Sequence, residues 1–167
     1  MLNSVILLIF PMCMAFAAAY DLLTMRIPNW LVLVTALGFV VAALAAGFPL
    51  EEWGMHLATG FGVLVITFVL FSFGWIGGGD AKFAAATALW MGWPMTLPYL
   101  AYAGILGGVL TLLLLGVRRF PLPVGLIRIE WIARLHDPKT GVPYGIALAA
   151  AALLLFPQLP IFKALGL

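Results

Sequence analysis

An all-α, polytopic membrane bundle of about six transmembrane helices, with its N-terminus outside, is the fold this sequence predicts. Three observations point to it: the composition, the spacing of the apolar runs, and the placement of the basic residues. Hydrophobic residues fill 65% of the 167 positions and charged residues only 8%, with a mean hydropathy of +1.19. Soluble domains carry about 25% charged residues, and this chain lacks the polar side chains to cover a surface facing water.

A bilayer core of about 30 Å is crossed by about 20 apolar residues in a helix. Runs that fit fall at roughly 2–20, 30–50, 55–76, 95–117 and 143–161. The first begins without the positive n-region of a signal peptide and is about a full span long, although Ala17-Ala18-Ala19 has the small residues of a cleavage site. A shorter run, Ala81 to Trp93, reaches only about 20 Å as a helix. It counts as a span because of the charges. With six spans and an outside N-terminus, Arg26, Lys82, Arg118, Arg119, Arg128, Arg134 and Lys139 all fall on the cytoplasmic side and only Lys163 outside, as the positive-inside rule requires. Glu51 and Glu52 then lie in an outer loop. The longest polar stretch, Arg118 to Pro143, is cytoplasmic. Its centre, Leu126 to His136, reads either as a solvated loop or as a surface helix with Glu130 and Arg134 spaced for an i, i+4 pair.

Several function classes drop out. A net charge of +2 without a basic cluster beside a stacking platform does not suit nucleic acid. The single cysteine, Cys13, forms neither an intrachain disulfide nor a Cys-x-x-Cys metal site. His56 and His136 are assigned to opposite faces, and Ser4 and Ser72 have no neighbouring base. No metal and no cofactor is expected. Tryptophans near span ends, among them Trp30, Trp53, Trp75 and Trp93, read as an aromatic belt.

Two carboxylates remain near the membrane on one face: Asp21, at the end of the first span, and Asp80, directly after Gly77-Gly78-Gly79. Ionisable groups at membrane depth call for a reason. The glycines permit positive φ and close approach of another chain, and they fit either a loop dipping inward or a plain turn at the surface. The aspartates are either helix caps or a pair at a wet site, one ionised to activate water and the other protonated to polarise a carbonyl. On such a pair, the helix dipoles favour Asp80, before a helix N-terminus, as the ionised base and Asp21, after a helix C-terminus, as the proton donor. Lys82 reads as a positive-inside anchor or as a group that tunes the carboxylates.

Gly77-Gly78-Gly79-Asp80 resembles the Gly-x-Gly-Asp motif of membrane aspartic peptidases, and Lys82 completes the Gly-Asp-x-Lys form of type IV prepilin peptidases. Asp21 with Arg26-Ile27-Pro28-Asn29 resembles the other aspartate motif of that family, and Val142-Pro143-Tyr144-Gly145 a further one. The resemblance implies a single transmembrane peptidase domain over 1–167, with Asp21 and Asp80 catalytic and Gly77, Gly79, Lys82, Pro28 and Asn29 supporting them. It implies removal of leader peptides from prepilins and pseudopilins at the cytoplasmic face of a bacterial inner membrane. The cysteine-rich insert of the long members is missing, so no N-methyltransferase activity is expected, and the short form resembles peptidases of tight-adherence (Flp-type) pilus systems. The rival readings are a small membrane transporter and a non-catalytic pilus or secretion assembly subunit.

Overall fold

A computed structural model describes residues 2–164. The side chains of Ser4 and Lys163, which entered the reading above, lie outside the described ones. Among the described residues the regular structure is helical: α1 Leu2–Thr24, α2 Asn29–Ala45, α3 Leu50–Ser72, α4 Gly78–Val117, α5 Val124–Ile127, α6 Glu130–His136, α7 Tyr144–Leu155 and α8 Pro160–Ala164, with a 3-10 turn at Phe156–Gln158 before α8. Apolar chain satisfies its own backbone best as helix. Prolines mark the starts: Pro28, Pro49 and Pro143 each precede a helix, where their fixed φ is harmless and the lost N–H is not needed.

Helix occupies each of the six apolar runs, with shifted boundaries. By length and composition, α3 and α4 suffice to cross a membrane; Leu8–Thr24, Asn29–Ala45 and Tyr144–Gln158 are shorter apolar helices. Helix α1 extends through Thr24, so Asp21 lies inside its last turn rather than after it. Glu51 and Glu52 belong to the first turn of α3, not to a loop; acids there face the positive end of the helix dipole.

Helix α4 spans 40 residues but is broken at Gly92, whose φ of 61° and ψ of 179° are not helical. The break separates the arms 78–91 and 93–117, close to the boundary read from the sequence. Pro94 falls in the first turn of the second arm, where proline is tolerated. Unbroken, α4 would hold Asp80 and Ala103 about 35 Å apart. Instead Ala103 O accepts a hydrogen bond from Tyr144 Oη at 3.1 Å, and the next residue, Gly145, donates to Asp21 at the end of the bundle where Asp80 also sits. The second arm therefore returns toward the Asp80 end. Its Gly107 lies under the Tyr144 ring, leaving no room for a Cβ.

The core is built around α4, which packs most extensively on α3 and α7. Trp90 is fully buried, unlike the exposed Trp30, Trp75 and Trp93. Its ring meets Phe10 and Phe39, and its Nε1 donates to Thr35 O at 2.8 Å. His56 is buried as well, stacked on Phe39, with Nδ1 donating to Leu89 O at 2.6 Å. This histidine is a packing residue at the Gly92 turn. A Cβ built on Gly92 would stand 2.8 Å from His56 Cε1. Gly92→Ala is expected to destabilise the protein by about 1–3 kcal/mol, through both the positive φ and the lost space; thermal unfolding in detergent, against Gly54→Ala at an open helical site, measures it.

Candidate active site

Asp21 and Asp80 line one cavity of about 320 Å³, together with Met25, Arg26, Ile27, Gly77, Gly78, Gly79 and Val142. Three separate stretches of chain thus converge on it. Asp21 is brought by α1, which stops just beyond it: Met25 N–H donates to Asp21 O at 2.7 Å, and Met25 takes the left-handed φ of 56° that closes many helices. That conformation usually selects glycine or asparagine, and a methionine there stores strain. Arg26-Ile27-Pro28 then leads directly into α2.

The Asp21 side chain is buried, and its Oδ2 accepts a 2.7 Å hydrogen bond from Gly145 N–H, in the first turn of α7. A Cβ on Gly145 would press on Asp21 Oδ2 and on Ile27 Cδ1, each at 2.8 Å. Asp80 occupies the third position of α4. Its carboxylate turns back over Gly77, where a Cβ would come within 2.7 Å of Oδ2, as an acid does at the third position of a capping box. Gly79 gives room to Ile27, whose backbone O and N would lie 3.3 and 3.4 Å from a Cβ there. The glycines supply space, not unusual backbone: none of the three has positive φ. An exposed turn over residues 73–77 joins α3 to α4, but α4 begins at Gly78 and Asp80 is helical, so neither an inward loop nor that turn carries the carboxylate.

Both carboxylates therefore sit at the positive end of a helix, Asp80 at α4 and Asp21 at α7. The asymmetry expected from the C-terminus of α1 alone is offset by α7, and the dipole argument no longer separates base from proton donor. Lys82 Nζ donates to Asn29 Oδ1 at 3.1 Å, which ties the start of α4 to the first residue of α2. Pro28 caps the start of α2, which Asn29 opens, and follows Ile27, on which Gly79 packs. The expected site residues are thus close in space; Ile27 and Gly145 stood in the motifs without a role of their own, and Met25 in none of them. Gly145 carried a signal, the motif at 142–145; the role of Ile27 as the wedge between two glycines carried none.

The polar segment after α4 is anchored, not a free loop. Arg118 Nε donates to Leu135 O, and its terminal nitrogens to Thr140 O, Thr140 Oγ1 and Gly141 O. Arg134 Nη1 donates to Leu23 O at 3.0 Å, on the last turn of α1. The surface helix expected over Leu126–His136 forms as two short pieces, α5 and α6, neither with a buried residue. Among the described residues no three His, Cys, Asp or Glu side chains gather as a metal set.

These features define an apolar all-helical bundle with a carboxylate pair in a recess at one end. The chain belongs to the type IV leader peptidase family, whose sequence pattern matches residues 8–112, a stretch that holds both aspartates. Membership makes it a protease, a hydrolase of leader-peptidase type with prepilin-type substrates and a membrane setting. No curated protein and no solved structure matches the chain. Arg118→Ala would strip four acceptors of their donor, worth on the order of 1–3 kcal/mol of local opening. Hydrogen exchange across 130–141 should accelerate accordingly while the exchange of α3 is unaltered.

Proposed function

We propose that residues 1–167 act as one aspartic endopeptidase unit that removes the leader of Flp-type prepilins at the cytoplasmic face of a bacterial inner membrane. The observation that carries this reading is the meeting of Asp21 and Asp80 in one recess. Two carboxylates sharing a wet site repel each other and titrate apart, so that one is ionised while the other holds a proton. The ionised carboxylate takes a proton from water as its oxygen attacks the scissile carbonyl carbon; the protonated one donates to the carbonyl oxygen. Collapse of the resulting diol breaks the C–N bond, and the proton gained from water passes to the departing amine. No acyl-enzyme forms. Gly145 N–H orients Asp21, and Gly77 leaves Asp80 free to turn into the recess. The chain has no cysteine-rich insert, and we assign it no N-methyltransferase activity.

The decisive assay is leader removal from a purified prepilin. Asp21→Asn and Asp80→Asn should each abolish it, since a carboxamide cannot act as general base, while both variants still insert in membranes. Wild-type rates from either would remove that residue from the chemistry.

The topology belongs to the same proposal: six spans, namely α1, α2, α3, the two arms of α4, and α7, with the N-terminus outside. It leaves Arg26, Lys82 and the five basic residues from Arg118 to Lys139 cytoplasmic, as the positive-inside rule favours. Single cysteines introduced at positions 51 and 139 of a Cys13→Ala protein should react with an impermeant thiol reagent from opposite sides of sealed vesicles. Reaction from the same side would refute the arrangement.

A further inference from the structure

Tyr144 is the first residue of α7 and half-buried, and it does not line the recess of the aspartates. Its hydroxyl points elsewhere, donating to Ala103 O on the second arm of α4 at 3.1 Å. That carbonyl lies inside a helix, and its second lone pair lets it accept from Tyr144 as well as from the N–H one turn on. The phenol reaches it by lying against Gly107. A Cβ on Gly107 would overlap Cε2 and Cζ of the ring and stand 2.6 Å from Oη, whereas one on the neighbouring Gly108 would meet nothing within 4 Å. Ring, hydroxyl and glycine thus fit together at one depth.

The next residue carries the consequence. Gly145 N–H is one of the first donors of α7, which have no acceptor inside their own helix, and it is given to Asp21 Oδ2 at 2.7 Å. Its Cα is about 3.8 Å from that of Tyr144, and both belong to one helical turn, so the two residues move as one piece. We propose that Tyr144, seated on Gly107, is a positioning residue for Asp21. The phenol sets the height of α7 against the second arm of α4, and that height sets where Gly145 N–H meets the carboxylate. This rests on the peptidase reading above, in which Asp21 acts on substrate. A catalytic role for Tyr144 itself does not fit, because its proton is held by Ala103 O and the ring lies outside the recess. A methyl group on Gly107 leaves two outcomes: the ring swings off Ala103 O, or α7 backs away from α4. Either loosens the hold of Gly145 on Asp21.

Gly107→Ala tests this against Gly108→Ala, which brings the same gain in helix propensity one position further along α4. The first readout is the Gly145 amide. The pair Tyr-Gly occurs once in the sequence, at 144–145, so ¹³C-carbonyl tyrosine with ¹⁵N-glycine marks that amide alone in the detergent-solubilised protein. In Gly107→Ala its proton resonance should move upfield and its hydrogen exchange quicken about fivefold, as weakening of one hydrogen bond does. In Gly108→Ala both should match the wild type. The second readout is cleavage of a purified Flp-type prepilin. Gly107→Ala should lower kcat about tenfold with KM within about twofold, the pattern of a misplaced catalytic group and not of lost substrate binding. An unmoved Gly145 amide overturns the proposal, and so does a moved amide with wild-type kcat. If Gly107→Ala does not fold, Tyr144→Phe decides: it keeps the ring, and loss of the hydroxyl should lower kcat about threefold at unchanged KM, whereas wild-type kcat overturns the proposal. A moved amide in a protein whose wild type cleaves no prepilin would refute the peptidase reading and leave the link from Tyr144 to Asp21 standing.

Discussion

The hydrogen bond from Gly145 N–H to Asp21 is the contact on which the recess depends. It joins residues 124 positions apart and gives a buried carboxylate a donor and the positive end of a helix. Left unpaired, a buried polar group of this kind costs several kcal/mol. With the last turn of α1 fixed to the first turn of α7, Ile27 is confined between Gly145 and Gly79. The first turn of α4, and Asp80 with it, then has little freedom of position. Lys82 and Asn29 close the same ring of contacts from the α2 side.

A common device recurs around this ring: glycine used as empty space. Gly77, Gly79 and Gly145 each stand where a methyl group would strike either a carboxylate or the chain that presents one. The one position in the connection that does need left-handed backbone is filled by Met25. Arginine serves a parallel purpose in the polar segment, where Arg118 and Arg134 gather backbone carbonyls at the ends of short or terminating helices. Such carbonyls have no partner within their own helix, and a guanidinium offers several donors at once.

The apolar runs, the separate short run 81–93, and both aspartates were legible because each leaves a mark in the sequence: hydropathy, the distribution of basic residues, a charge amid apolar neighbours. Boundaries shifted where a helix continued into polar sequence, as α1 does past Asp21 and α3 does back to Glu51. Contacts between distant residues were not legible. Nothing local distinguishes Trp90, a core residue, from Trp93, an exposed one three positions later, and nothing in a methionine announces φ of 56°. The dipole reading of the aspartates was one-sided for the same reason. It counted the helices adjacent in sequence and could not see α7 arriving at Asp21 from the other end of the chain.

The broken α4 bears on how such a protein is made. Its first arm, residues 78–91, is about 21 Å long and carries Asp80 and Lys82 in its opening turns. By itself that arm is shorter than the hydrocarbon core of a bilayer and would be a poor substrate for insertion. The second arm is long and strongly apolar. In the proposed topology the two arms form one helical hairpin turning at Gly92-Trp93-Pro94, so that the short arm is paired with a long apolar one. The left-handed φ of Gly92 and the His56 ring against it then set which residues that turn can accept.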